Sequence, residues 1–123
     1  MHSRSVFLHV EMQLLPQEEL RLVILDTKNR VMATPTLYRG TLSAAPGRLA
    51  EVYRDAVRRG AAKIAMAHNH PSGDPTPSRD DIAFTREAVE AGQLLEVELV
   101  DHLVFGHGAD RWVSMRRQHL GFD

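Results

Sequence analysis

His68-Asn69-His70-Pro71-Ser72-Gly73-Asp74-Pro75-Thr76-Pro77-Ser78-Arg79-Asp80-Asp81 joins two segments of different character. Before it lies an apolar run, Ala61-Ala62-Lys63-Ile64-Ala65-Met66-Ala67, which predicts a buried strand; after it, from Ser78, apolar positions recur at helical spacing. The prolines and Gly73 between them predict a loop. Histidines at i and i+2 on a strand end point to one face, with Cα atoms roughly 6.5 to 7 Å apart. Ser78, after Pro77, suits the N-cap of the next helix, which puts Asp81 at N3, where the helix dipole favours a carboxylate. A loop that folds back on the strand brings Asp81 to His68 and His70. Two imidazoles and one carboxylate, with a fourth position left to water, describe a catalytic zinc site, because structural sites usually fill all four positions with protein ligands.

Each part also has a plainer reading. His-x-His can be two incidental histidines, and Ser-x-x-Asp before an apolar periodic run is a capping box. Asp74 and Asp80 are alternative acids, but Asp74 lies in a Pro-Ser-Gly-Asp-Pro turn and Asp80, at N2, projects differently.

The rest of the composition narrows the setting. A chain of 123 residues predicts one domain, 1–123, able to bury roughly two thirds of its unfolded surface. Apolar residues make up 43% and charged residues 25%, as in soluble globular proteins, and no apolar run reaches membrane-span length. Met1-His2-Ser3-Arg4-Ser5 lacks the features of a signal peptide, so the expected setting is cytoplasmic, with no membrane partner. With no cysteine, disulfides and thiolate ligands are excluded, and a metal must use histidines and carboxylates. A net charge of −1 supplies no global attraction to nucleic acid; Arg58-Arg59 and Arg116-Arg117 are short clusters.

Along the chain, the apolar positions of residues 3–15 fit either a short helix or a strand, the helix being favoured, and Pro16 ends the segment. Glu18 through Leu25 predict a strand apolar on both faces, hence central in a sheet. Asp26-Thr27-Lys28-Asn29-Arg30 is a turn, and Val31 to Leu37 the returning strand, with Pro35 at an edge or irregular end. Leu49, Val52, Tyr53, Ala56 and Val57 mark a helix closed by Gly60. Ile82, Phe84, Thr85, Ala88, Val89 and Leu94 mark the next, ending near Gly92. Leu95 to Val100 alternates as a half-exposed strand, His102 to Phe105 continues or pairs with it, and Gly106 to Asp110 turns the chain toward Arg111-Trp112-Val113-Ser114. The order implies an α/β fold (α+β sandwich): one mixed β-sheet flanked by helices.

The pattern His-x-His, seven residues, Ser-x-x-Asp resembles the JAMM/MPN+ metalloprotease signature. His-Asn-His-Pro-Ser-Gly-Asp-Pro-Thr-Pro-Ser closely resembles the RadC family, the "DNA repair protein RadC" group. Leu25 to Arg30, Gly40-Thr41-Leu42 and Asp101 to Gly106 match as well, so the resemblance runs from about Leu14 onward. It implies an MPN/JAB, cytidine deaminase-like architecture, with His68, His70 and Asp81 as ligands of Zn2+ and an activity against an amide or isopeptide bond of an unidentified peptide substrate. It also implies an N-terminal helical region in full-length relatives, and the family's historical name suggests DNA or repair proteins as alternative partners of a non-catalytic binding module.

In JAMM proteins a glutamate at the start of an early strand serves as general base. The resemblance favours Glu18, with Glu19 the fallback and Glu51 a further alternative, although Leu49-Ala50 replaces the family's Pro-Arg before it. The family's serine, here Ser78, helps stabilise the oxyanion. Asp101-His102 resembles the family's Asp-His-[Ile/Leu] element and could orient a metal ligand from behind. Adjacent strand residues face opposite ways, so at most one of the pair faces the site. His2, His9, His107 and His119 are expected in solvent. Two histidines and a carboxylate also describe a non-haem iron triad, but the spacing and the lack of a many-stranded β pattern favour a hydrolase.

Overall fold

A computed structural model describes Met12 and residues 15–39, 48–108 and 111–123 of the chain. Within them the order is β1 (Glu19–Leu25), β2 (Val31–Ala33), β3 (Thr36–Arg39), α1 (Leu49–Arg58), β4 (Lys63–Asn69), α2 (Arg79–Leu95), β5 (Glu98–Phe105) and β6 (Trp112–Ser114). The sheet runs β2-β1-β4-β5-β6, with β3 also on β1. Among the described residues only β4 and β5 pair in parallel; the other pairs are antiparallel. A mixed sheet with helices is the expected α+β class, and β4-α2-β5 is the crossover unit a parallel pair requires.

β1 and β4 hold the centre. Both carry apolar side chains on each face, and these are buried on both. On one side Leu20, Leu22, Ile24, Ile64 and Met66 pack with Val52, Tyr53 and Ala56 of α1 and Phe84 and Ala88 of α2. On the other, Val23, Leu25 and Ala65 form one cluster, and Met12 joins Ala67, Leu103 and Phe105 in another. Met12 is helical and fully buried; the remainder of the helix expected over 3–15 lies almost wholly outside the described residues. A bulge in the β4–β5 pairing, between Ile64 and Ala65, sets Asp101 opposite Ala65 and His102 opposite Met66. It therefore fixes which of the two acts on the helix side of the sheet.

Two boundaries differ from expectation. The strand expected from Val31 to Leu37 is divided into β2 and β3. Pro35 has no N–H to give the ladder, while its carbonyl accepts from Leu22 N–H at 2.9 Å. The strand expected from Leu95 starts only at Glu98, because α2, whose expected positions reach Leu94, runs to Leu95 and ends at Glu96 in a left-handed conformation, φ 58°. Gly92 is inside this helix for reasons of space: a Cβ there would lie 2.5 Å from the Val97 carbonyl oxygen and 2.6 Å from Tyr53 Oη. Gly60, at φ 62°, follows α1 as expected.

β1 runs antiparallel to β4, so the start of one lies beside the end of the other, with Leu20 paired to His68. The N-terminus of α2 and the end of β5 meet at the same edge. Crevices at the carboxyl ends of parallel strands are where open α/β sheets bind ligands.

Candidate metal centre

His68 is the sixth residue of β4, on the face covered by the helices, and 3% exposed; His70 follows just beyond the strand. Their rings stand edge to face, centroids 4.7 Å apart at 82°. The His70 N–H donates to the Phe105 carbonyl at 2.8 Å, tying the strand end to β5. His70 Nδ1 lies 2.9 Å from the Asp74 carbonyl, which can only accept. In a neutral His70 that contact puts the proton on Nδ1 and leaves Nε2 bare.

The loop does fold back. Ser78 caps α2: its Oγ accepts from the Asp81 N–H at 3.0 Å, and its N–H donates to Asp81 Oδ2 at 2.8 Å, a complete capping box. The plainer reading of Ser-x-x-Asp is thus correct, and it does not use up the acid. Asp81 Oδ2 is 3.4 Å from His70 Nε2, and Oδ1 is 3.8 Å from His68 Nε2. Burial alone would raise the Asp81 carboxyl, but the hydrogen bond to His70, the charge of His68 and the Ser78 N–H outweigh it and hold it well below the usual range. Burial opposes the charged form of His70, yet its bonds to Asp81 and the Asp74 carbonyl, with the charges of Asp81 and Glu18, raise it.

Glu18 approaches from the start of β1, its Oε1 3.4 Å from His68 Nε2. Glu18, His68 and His70 offer ligand atoms within 4.8 Å of one another, a spacing that one metal ion could bridge. Glu19 points away: its carboxylate meets Arg21 Nε at 3.0 Å and Arg39 Nε at 3.4 Å. Glu51 lies in the first turn of α1 and is not in the group. Asp74 bonds Thr76 within its own turn. His107 and His119 are exposed, whereas His2 and His9 lie outside the described residues. As strand alternation requires, Asp101 and His102 part company. Asp101 accepts from Ser114 Oγ and Arg116 N–H, while His102 is fully buried beside His68, and burial first, then the charge of His68, push it down to about 3.

One positioning residue carries no sequence signal. Asn69, between the histidines and facing the other way, is 2% exposed. Its Oδ1 accepts from the Glu19 N–H at 2.7 Å and its Nδ2 donates to the Gln17 carbonyl at 3.0 Å. A single side chain therefore grips the backbone on both sides of Glu18. Strand alternation indicates that residue 69 faces away from the histidines, but only the fold reveals what it meets.

The donor set fits a borderline divalent ion: neutral imidazole nitrogens and carboxylate oxygens, without thiolates. A family model for the RadC-like JAB domain matches residues 2–120. The chain belongs to the RadC-like JAB domain family. Curated relatives of this RadC-like domain carry the name UPF0758 protein. The chain is 53% identical over 119 residues to one from Chloroflexus aurantiacus, covering 97% of this chain and 51% of that protein. Over 115 residues it is 51% identical to one from Roseiflexus castenholzii, covering 94% and 48%. One from Moorella thermoacetica is 46% identical over 110 residues, covering 89% and 47%. The RadC-like domain thus spans about half the length of the curated relatives it matches. Among its described residues, no helix is long and apolar enough to cross a membrane.

Proposed function

We propose that this domain is a zinc-dependent hydrolase of the JAMM type, acting on an amide or isopeptide bond of a peptide substrate in the cytoplasm. The observation that carries the reading is the meeting of His68 Nε2 and His70 Nε2 with two carboxylates: Glu18 Oε1 lies 3.4 Å from His68, and Asp81 reaches His70 at 3.4 Å through Oδ2 and His68 at 3.8 Å through Oδ1. His68, His70 and Asp81 would hold the ion. Zinc bound there supplies Lewis acidity and brings the pKa of water from 15.7 toward about 7.

The two carboxylates divide by environment. Asp81 is 9% exposed at its side chain, pinned by the Ser78 N–H and within reach of both rings, as a ligand should be. Glu18 is 23% exposed, more open than Asp81, which suits a base that must meet water and substrate. In this role Glu18 takes a proton from the attacking water and returns it to the departing amine. Ser78 is exposed, and its Oγ receives the Asp81 N–H through a lone pair, leaving its own proton to donate to a developing oxyanion. Loss of one such donor typically costs about 2.7 to 4 kcal/mol of barrier. The net charge of −1 favours a peptide over DNA as partner.

The test uses the purified chain loaded with zinc and a peptide and isopeptide library. Glu18→Ala is expected to keep its zinc and lose hydrolysis, and His70→Ala to lose both. A His70→Ala protein with unchanged zinc content and activity overturns the reading.

A further inference from the structure

Behind His68, away from the ligand face, three buried side chains form a line. His68 Nδ1 lies 3.2 Å from His102 Nε2, and His102 Nδ1 lies 2.7 Å from Thr85 Oγ1. Thr85 Oγ1 in turn donates toward Met115 Sδ at 3.8 Å. Thr85, His102 and Met115 are all 0% exposed, so water cannot substitute for any member. His68, His102 and Thr85 come from separate elements, β4, β5 and the middle of α2, and Met115 follows β6.

The line has a direction. A neutral imidazole is a donor at one nitrogen and an acceptor at the other. Metal ligation through His68 Nε2 sets the direction: His68 Nδ1 then carries the proton and donates to His102 Nε2, which puts the His102 proton on Nδ1, where the Thr85 oxygen accepts it and turns its own proton toward the Met115 sulfur. In this arrangement His68 Nε2 is bare, on the side that faces Glu18 and Asp81. His70 reaches the same state through the Asp74 carbonyl.

We propose that Thr85 and His102 are positioning residues that fix the tautomer and ring orientation of His68, and so set the metal affinity of the site without touching the ion. The proposal rests on the metal-centre reading above. It gives a use to a buried histidine and a buried helix hydroxyl that the hydrolytic chemistry does not employ. Partners behind a ligating histidine commonly govern affinity in this way.

The experiment combines zinc titration with 15N-detected tautomer measurement on the full chain. In the zinc-loaded wild type, His102 is expected to carry its proton on Nδ1, the tautomer free histidine disfavours. His102→Leu is expected to weaken zinc binding by about 10- to 100-fold. Thr85→Val, which keeps shape and removes the acceptor, is expected to weaken it by about tenfold, and Thr85→Ser to restore it to within about twofold. A zinc-loaded wild type with the His102 proton on Nε2 overturns the relay, as does a folded Thr85→Val protein that binds zinc like wild type. The wild-type spectrum decides even if the variants do not fold. A wild type that binds no zinc at all overturns the metal centre itself, and the relay with it.

Discussion

Asn69 fixes the backbone around Glu18 from the face opposite the histidines, through bonds to residues 50 and 52 positions away. Asn69→Leu keeps approximate volume but leaves the Glu19 N–H and the Gln17 carbonyl without their partner. The Gln17 carbonyl can turn to water, but the buried Glu19 N–H cannot, and such an orphan costs about 1 to 3 kcal/mol, so urea denaturation should show a loss in that range. A loss under about 0.5 kcal/mol, the usual size of a surface effect, would mean that the grip on Glu18 is not made. Tyr53 gives a second test at this scale. It is buried, its Oη donates to the Ala88 carbonyl at 2.6 Å, and burial pushes its pKa up to about 12. An unfolded tyrosine ionises near 10, so the stability that this group contributes is fully present below about pH 10 and is lost as pH rises toward 12, by up to about 1.4 kcal/mol per pH unit. Denaturation midpoints at pH 9 and 11 should therefore fall more in wild type than in Tyr53→Phe; equal falls would contradict the assignment. Among site residues, His68, His70, Ser78 and Asp81 were legible because spacing alone determines that they share a strand face or a first helical turn. Asn69 and Thr85 were not legible, since each acts on a segment far away in sequence.

Elements were legible wherever one period dominated. β1 and β4 stand out as apolar runs, and α2 as a capped periodic helix. The division of β2 from β3 and the late start of β5 were hidden because they depend on Pro35, a ladder position that lacks a donor, and on Glu96, which turns left-handed after α2. The loop between β4 and α2 is held in the same way. Its Gly73 carbonyl accepts from the His107 N–H at 3.2 Å, and a Cβ on Gly106 would lie 2.1 Å from the Gly73 carbonyl oxygen and 3.0 Å from Pro75 Cδ. The first of these clashes is with backbone, so no side chain can simply turn aside. Gly106→Ala should destabilise the protein by about 1 to 3 kcal/mol and speed hydrogen exchange across residues 70–77, measured by mass spectrometry. Unchanged exchange in that loop would show that the close approach does not hold it.

At the scale of the whole molecule, the start of β1 and the consecutive elements β4 and α2 deliver their ends to one edge of the sheet. β1 brings a carboxylate, β4 two imidazoles, and α2 a second carboxylate fixed by its own cap. The topology explains why the site needs so few residues: antiparallel β1 and β4 juxtapose start and end, and the β4-α2-β5 crossover returns the helix N-terminus to the same place. The most direct measurement is anomalous diffraction at the zinc edge from crystals grown with zinc. The account predicts one strong peak within about 2.0 to 2.2 Å of His68 Nε2, His70 Nε2 and an Asp81 carboxylate oxygen, with Glu18 beside it. A zinc-soaked crystal with no peak there, or with the peak held by other residues, would contradict it.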